Sequence, residues 1–460
     1  MNRIFVPVYG VVCDSRQLLF FLWAIPDNMG IMKKLADRIK RFQTRLEECT
    51  RCGMCQSVCP VFGVTGMEAD VARGKLALVD GLMHNMFSDP DGVEKRLNKC
   101  LLCGACQVNC PSGVTTLEIF IKARAIITEY KGLSSVKKLV LRKLLAEPGR
   151  FDSIALYAEK FQMVLTKKED NFQGTSCARL VSPLLRDRHF MPLAPVPFHR
   201  SLPSLDTIRK NRGPKVIFFT GCLIDKILPG IAHACIKVFA HHGAVVYIPQ
   251  DQGCCGIPAL SSGDMKTFNH LVEHHVKLFS AQSFDYIVTA CATCTSTIRK
   301  LWPVFYSGSS DVCTRFVQEL GSRTLDINQF LVDVVKMDED RQDVHGQKVT
   351  YHDPCHLKKS LGVASEPRAV IRAAGMDLVE MKDADKCCGM GGSFNLLHYD
   401  ISMDIGKLKY ENIVETGCSC IATGCPACMM QISDILAKNR AKIRVAHPVE
   451  LYAGSLEDSS

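Results

Sequence analysis

Eighteen of the 24 cysteines fall into four blocks with metal-type spacing. Two blocks read Cys-x2-Cys-x2-Cys-x3-Cys-Pro: Cys49, Cys52, Cys55, Cys59 and Pro60, then Cys100, Cys103, Cys106, Cys110 and Pro111. The other two read Cys…Cys-Cys-Gly…Cys-x2-Cys. The first is Cys222, Cys254, Cys255, Gly256, Cys291 and Cys294; the second is Cys355, Cys387, Cys388, Gly389, Cys425 and Cys428. A disulfide scaffold is a short secreted chain with framework spacings, and a chain of 460 residues with these intervals argues against one. Zinc accounts for a single Cys-x2-Cys pair. It does not account for three cysteines at two-residue gaps ahead of a Cys-Pro, twice over, which is the bacterial ferredoxin run of iron–sulfur ligation. The chain is therefore of the redox class. Reduced thiolates and assembled clusters imply the cytoplasm or the inner face of the membrane.

Charge and hydropathy narrow the partners. The net charge of +9 is dispersed, with no run of aromatics between the basic residues, so a solvated surface is expected and no nucleic-acid partner. The most apolar stretch, Leu18 to Pro26, is about half the ~20 residues a membrane-spanning helix needs. Asp14 and Arg16 beside it, with no small-residue cleavage site after it, do not make a signal peptide. Residues 1–32 read as an N-terminal extension, disordered or mis-started, because Met29 or Met32 ahead of KKLADRIKRF makes a natural start on an amphipathic helix.

The rest divides into residues 33–131 with the two ferredoxin runs, a helical and proline-rich linker over 132–214, a first Cys-Cys-Gly domain over 215–335 and a second over 336–460. In the linker, VKKLVLRKLLAEPGRFDSIALYAEKF has helical periodicity, and Pro183, Pro192, Pro195, Pro197 and Pro203 mark an extended passage across the surface. The last two domains are copies. Cys222, Cys254 and Cys255 recur 133 residues later, and Cys291 and Cys294 recur 134 residues later. Short apolar runs (KVIFF, AVVYIP, DYIVT, then KVTYH, DLVEM, CIAT) precede the cysteines and alternate with helical stretches. This predicts a small parallel α/β sheet per copy, with the cysteine loops at the carboxyl ends of strands. The expected fold class is thus an α+β ferredoxin-type two-cluster module, a helical linker and a duplicated α/β domain.

In a ferredoxin run three close cysteines wrap one cubane [4Fe–4S] and the fourth reaches the partner cluster. One cluster is accordingly assigned to Cys49, Cys52, Cys55 and Cys110, the other to Cys100, Cys103, Cys106 and Cys59, with Gly53 and Gly104 relieving crowding between ligands. Each Cys-Cys-Gly block offers five thiols where a cubane takes four. An ordinary cubane with a spare thiol, a vestigial copy, and a more open cluster bridged by the adjacent cysteines all satisfy the spacing. His352, Asp353 and His356 flank Cys355 and suit a proton donor or, more simply, a fixed loop. The first copy has Thr220 and Leu223 where the second has Asp353 and His356. Gly389, Gly391 and Gly392 read as a tight turn, since a dinucleotide pattern fails at Phe394. Cys13, Cys177, Cys235, Cys313, Cys418 and Cys420 are left over; Cys235 fits a helix core, and Met429 and Met430 fit the underside of a cluster loop. No flavin or nucleotide fingerprint is present, so the chain is not expected to accept hydride from an organic substrate itself.

From about residue 33 the chain resembles the family that joins a two-cluster ferredoxin module to a tandem Cys-Cys-Gly region. This family comprises the iron–sulfur subunits of glycolate oxidase and D-lactate dehydrogenase, related to the catalytic subunit of heterodisulfide reductase. The motifs are TRCGMCQSVCP, EADVARGKLALVDGL, LLCGACQVNCPSGV, TGCL, QGCCG, HDPCHL, CCGMGGSF and TGCPACMMQ. The resemblance implies two further, noncubane [4Fe–4S] clusters, one held by Cys222, Cys254, Cys255, Cys291 and Cys294 and one by Cys355, Cys387, Cys388, Cys425 and Cys428. It implies an electron-transfer subunit serving an FAD-dependent 2-hydroxy-acid oxidase, with an electron-transfer flavoprotein or a quinone-linked membrane protein as a further partner. The alternative it offers is a heterodisulfide-reductase-like catalytic subunit working on disulfides.

Overall fold

The computed structural model describes residues 26–170, 174–178, 188–201, 212–308, 310–338 and 346–456. Most of the N-terminal extension, with Cys13 and nearly all of the apolar stretch from Leu18, lies outside them, as do Pro183, Pro203 and the side chain of Cys177. Helix α1 (Pro26–Ile39) begins inside the segment read as an extension. Its Met32, Leu35, Ala36 and Ile39 recur at helical spacing and are buried. They pack on α2 (Ala72–Met83), through Leu76, Val79 and Leu82, and on α3 (Thr116–Lys131), through Ile119, Phe120, Ala123 and Ile127.

No strand occurs among residues 26–131, so the module is helical and not α+β. The apolar residues there repeat every three or four positions, which buries a helix stripe and leaves nothing with the period of two a sheet requires.

The linker forms α4 (Pro148–Leu165) after two shorter helical segments. An antiparallel hairpin that the sequence did not announce follows, with β1 (Thr166–Asp170) paired to β2 (Thr175–Ala178). Residues 188–201 then run as a strap over both copies. Arg188 donates to the carbonyls of Asn395 and Leu396, each at 3.1 Å, and the His189 amide donates to Asp434 at 2.9 Å. The Ala194 amide reaches the Lys226 carbonyl at 2.8 Å, and His199 meets Asp225 at 3.0 Å.

Each copy carries a four-stranded, wholly parallel sheet. β3 (Lys215–Phe218), β4 (Val245–Tyr247), β5 (Tyr286–Thr289) and β6 (Thr324–Asp326) lie in the order β4-β3-β5-β6. β7 (Lys348–Tyr351), β8 (Asp377–Val379), β9 (Cys420–Ala422) and β10 (Arg444–Ala446) repeat it as β8-β7-β9-β10. Past their first residues the central strands β3, β5, β7 and β9 are buried, as parallel sheets covered on both faces require, while the outer strands β4, β8 and β10 are only partly so. Around the first sheet, α5 (Pro229–His241) places Cys235 and Phe239 inward, and Phe239 packs edge-on to Phe218 and Phe330 with ring centroids at 5.4 and 5.6 Å. α6 (Met265–Ser280) covers the same copy, and its counterpart in the second is α8 (Tyr399–Glu415), following α7 (Ser365–Ala373). The C-terminal helix of the second copy, Pro448–Ser455, packs on α5 of the first, where Tyr452 and His242 meet at 3.1 Å. Among the described residues no helix is long and apolar enough to cross a membrane.

Arg124 on α3 fastens the helical module to the first copy. Buried itself, it donates to the Ser261 carbonyl at 2.8 Å, to the Cys100 carbonyl at 3.0 Å and to the Leu97 carbonyl. Arg124→Ala is expected to strand these acceptors and cost about 3 kcal/mol, read as a lower Tm and faster proteolysis between module and tandem region.

Candidate metal centres

The two ferredoxin runs cross in space. One cavity is lined by Cys49, Cys52, Cys55 and Cys110, with Cys106 at its edge and Ala72, Leu76 and Val114 as apolar walls. The other is lined by Cys59, Cys100, Cys103 and Cys106, with Val61, Leu117 and Phe120. The fourth cysteine of each run thus sits among the first three of the other. Gly53 and Gly104 take positive φ (86° and 73°) and turn the chain from one ligand into the short helix carrying the next. The Leu102 amide lies 3.5 Å from Cys100 Sγ, and Thr116 Oγ1 lies 3.2 Å from Cys106 Sγ. Burial pushes the Cys59 thiol up to about 11. A donor set of thiols among apolar walls fits an iron–sulfur cluster, whose binding would release the thiol protons.

The Cys-Cys-Gly cysteines lie just beyond the carboxyl ends of strands. Cys222 follows β3, Cys254 and Cys255 follow β4, and Cys291 follows β5; Cys355, Cys387 with Cys388, and Cys425 follow β7, β8 and β9. Their contacts repeat copy for copy. Cys222 meets Cys254, Cys255 meets Cys294, and Cys291 meets Cys294. Likewise Cys355 meets Cys387, Cys388 meets Cys428 at 3.4 Å, and Cys425 meets Cys428. All five thiols of each block therefore converge. Gly256 and Gly389 have φ of 92° and 95°, and a Cβ on Gly389 would stand 2.5 Å from the Ser402 carbonyl oxygen, so the turn after each Cys-Cys pair admits only glycine.

The four sites also adjoin one another. Cys106 lines both ferredoxin cavities. Cys103 contacts Cys387 of the second block. Cys425 of that block contacts Cys291 of the first, where the Ala292 amide donates to the Gly424 carbonyl at 3.0 Å. His356 stands at this junction, with Nδ1 3.0 Å from Thr293 Oγ1 and Nε2 3.3 Å from the Leu102 carbonyl. Gly391, in the turn read from GMGG, packs on Leu101 so closely that a Cβ would lie 2.5 Å from its side chain.

Of the polar residues flanking Cys355, Asp353 fixes structure. Arg368 donates to it at 2.8 and 3.1 Å and Lys358 at 3.3 Å, and these cations hold its carboxyl below the usual range despite burial. His352 is fully buried, which pushes its imidazole down to about 3 and keeps it neutral. Sequence reasoning missed Lys409 and His275. Lys409 on α8 is buried beside Cys387 and Cys388, donates to the Asp383 and Ala384 carbonyls at 2.7 and 3.2 Å, and is pushed down to about 8 by burial. His275 occupies the same position of α6, 134 residues earlier, and accepts from the Gly253 amide at 3.1 Å. The duplication register carried this signal: one basic residue at one point of each covering helix. Of the leftover cysteines, Cys235, Cys418 and Cys420 are buried and Cys313 half-buried; Met429 is buried behind the Cys425–Cys428 loop.

The profile of the "4Fe-4S dicluster domain" matches residues 45–114, and that of the "Cysteine-rich domain" matches residues 216–299 and 349–433. The Lactate utilization protein A of Geobacillus sp. (strain WCH70) is 31% identical over 238 residues, 52% of this chain and 98% of that protein. The chain belongs to the glycolate-oxidase and lactate-utilisation family of iron–sulfur subunits. Within this family, the probable glycolate oxidase iron–sulfur subunit of Bacillus subtilis is 28% identical over 445 residues, 92% of this chain and 98% of that protein. A component of the dihydromethanophenazine:CoB–CoM heterodisulfide reductase of Methanosarcina acetivorans is 25% identical over 436 residues, 89% of this chain and 94% of that protein. The Bacillus and Methanosarcina relatives are oxidoreductase subunits, which supports that class for the chain.

The crossed cavities make a specific demand. Cys110→Ser is expected to remove the cluster held with Cys49, Cys52 and Cys55 and spare the one beside its own sequence neighbours. Iron content and EPR of the anaerobic protein check this, and loss of the other signal would reverse the assignment.

Proposed function

We propose that this chain is the electron-relaying subunit of a 2-hydroxy-acid oxidoreductase acting on glycolate or lactate. A flavoprotein partner oxidises the acid, and the chain passes the electrons on to a quinone or another carrier. The observation that carries the reading is the unbroken succession of thiol sites from the first ferredoxin cavity through the second, to the second Cys-Cys-Gly block and then the first. Two cubane clusters, held by Cys49, Cys52, Cys55 and Cys110 and by Cys100, Cys103, Cys106 and Cys59, and a noncubane cluster in each block would supply one-electron carriers along that line. The chain's own groups hold the line in place. The Leu102 amide faces Cys100 sulfur, Leu76 and Phe120 exclude water, and His356 clamps the junction. Cys52 and Met54 are exposed at the far end, where a partner's redox group can approach. The place of work is the cytoplasm, at or near the inner membrane face.

A second reading, disulfide chemistry of the heterodisulfide reductase type, is favoured by one observation: the two five-thiol blocks abut through Cys291 and Cys425. Anaerobic pull-down of the native protein separates the two. The relay reading expects a co-purifying flavoprotein and bleaching of iron–sulfur absorbance by glycolate, D-lactate or L-lactate. Absence of flavin, with disulfide turnover by the isolated chain and an artificial donor, would replace it with the second.

A further inference from the structure

The two blocks share a scaffold but not a donor set. His352 directly follows β7, and its amide donates to the Ala422 carbonyl at 2.9 Å. Phe219 directly follows β3, and its amide donates to the Val288 carbonyl at 2.9 Å. The two residues hold one position in the two copies, and both are fully buried. In the first copy this position is a hydrocarbon ring, packed edge-on against His275 at 5.2 Å.

In the second copy it carries nitrogen at the thiols. A ring nitrogen of His352 and the Sγ atoms of Cys388 and Cys428 all lie within 4.8 Å of one another, the spacing of ligands around one ion. Nδ1 is 3.1 Å from the Ala384 carbonyl oxygen. A carbonyl can only accept, so Nδ1 carries the proton and Nε2 is a bare lone pair. That Nε2 is buried and has no hydrogen-bond partner. An orphaned buried acceptor normally costs stability. An imidazole whose Nδ1–H is fixed by a backbone carbonyl, leaving Nε2 free, is how metal-binding histidines are oriented.

We propose that His352 Nε2 is a nitrogen ligand to iron in the cluster of the second Cys-Cys-Gly block. The inference rests on the relay reading's premise that this block holds a cluster. The second site then has six donors and the first has five. A neutral nitrogen adds a donor without adding negative charge to the thiolate set. The second site, which adjoins the ferredoxin module, then carries a ligand that the first lacks, so the two sites differ in potential.

The test uses the full chain, purified anaerobically with its clusters and poised to make the second site paramagnetic. Pulsed EPR should show a strongly coupled 14N that changes on 15N-histidine labelling. Two variants remove it. His352→Phe installs the residue of the first copy, and His352→Asn keeps a side-chain N–H for Ala384 without a ring nitrogen. Loss of the coupling and a shift in the second site's potential, with the first site's signal unchanged, is the expected result. Full iron content without a histidine coupling, or a coupling that survives both variants, overturns the ligand assignment alone. Wild-type protein with no iron in the second block overturns the assignment together with the reading beneath it.

Discussion

Ten thiols held at sulfur-to-sulfur contact inside two small domains are the constraint on which this structure depends. Cys254, Cys255, Cys291 and Cys294, and in the second copy Cys387, Cys388, Cys425 and Cys428, are all buried. Neighbouring sulfurs and burial push Cys254, Cys291, Cys294 and Cys428 up, while Cys255, Cys388 and Cys425 go down because flanking thiols donate to them. Several ionised sulfurs in so apolar a place would be costly without a cation. The iron of a bound cluster would supply that charge, which would link cluster assembly to the folding of these loops. The parallel sheets, the glycine turns after each Cys-Cys pair and the helix-borne Lys409 and His275 serve to bring the thiols to one point.

Duplication gave two such points and then let them diverge. The strand order, the thiol contacts and the glycine turns are kept in both copies. The copies differ at the positions flanking the first cysteine of each block. Thr220, Leu223 and Phe219 of the first copy stand where Asp353, His356 and His352 stand in the second. Among the described residues the second copy meets a module cysteine, Cys103, through Cys387, and His356 beside it reaches the Leu102 carbonyl. Leu223 in the position of His356 could form no such hydrogen bond.

The thiol sets and the tandem sheets were legible because their signals are local. Cysteine intervals, β-branched runs and the 133-residue register can each be read within a short window. The strands expected in the ferredoxin module had no such support. They came with the usual setting of the cysteine run, whereas the local pattern, such as Met32, Leu35, Ala36 and Ile39, has the helical period. The hairpin was hidden for the opposite reason. Lys167, Lys168, Glu169 and Asp170 in β1 lack the apolar alternation of a strand, and its pairing is set by the surroundings. The meetings of Cys103 with Cys387 and of Cys291 with Cys425 join blocks far apart in the chain, and no local pattern encodes them.

The linker shows why those meetings hold. A proline-marked passage between two domains usually implies freedom, yet residues 188–201 are tied at both ends. Arg188 and His189 bond to the second copy, Ala194 and His199 to the first. Under His199, Asp225 and Asp152 share Lys226, a buried cation satisfied on both sides. Arg124 and the C-terminal helix close two further joints, from module to first copy and from second copy to first. Electron transfer between fixed centres tolerates little change in separation, and a chain that moved as beads on a string would break the line at Cys103 or Cys425. The strap, the arginine and the shared helix turn three cysteine-bearing units into one body, so a relay through them needs no docking step within the chain.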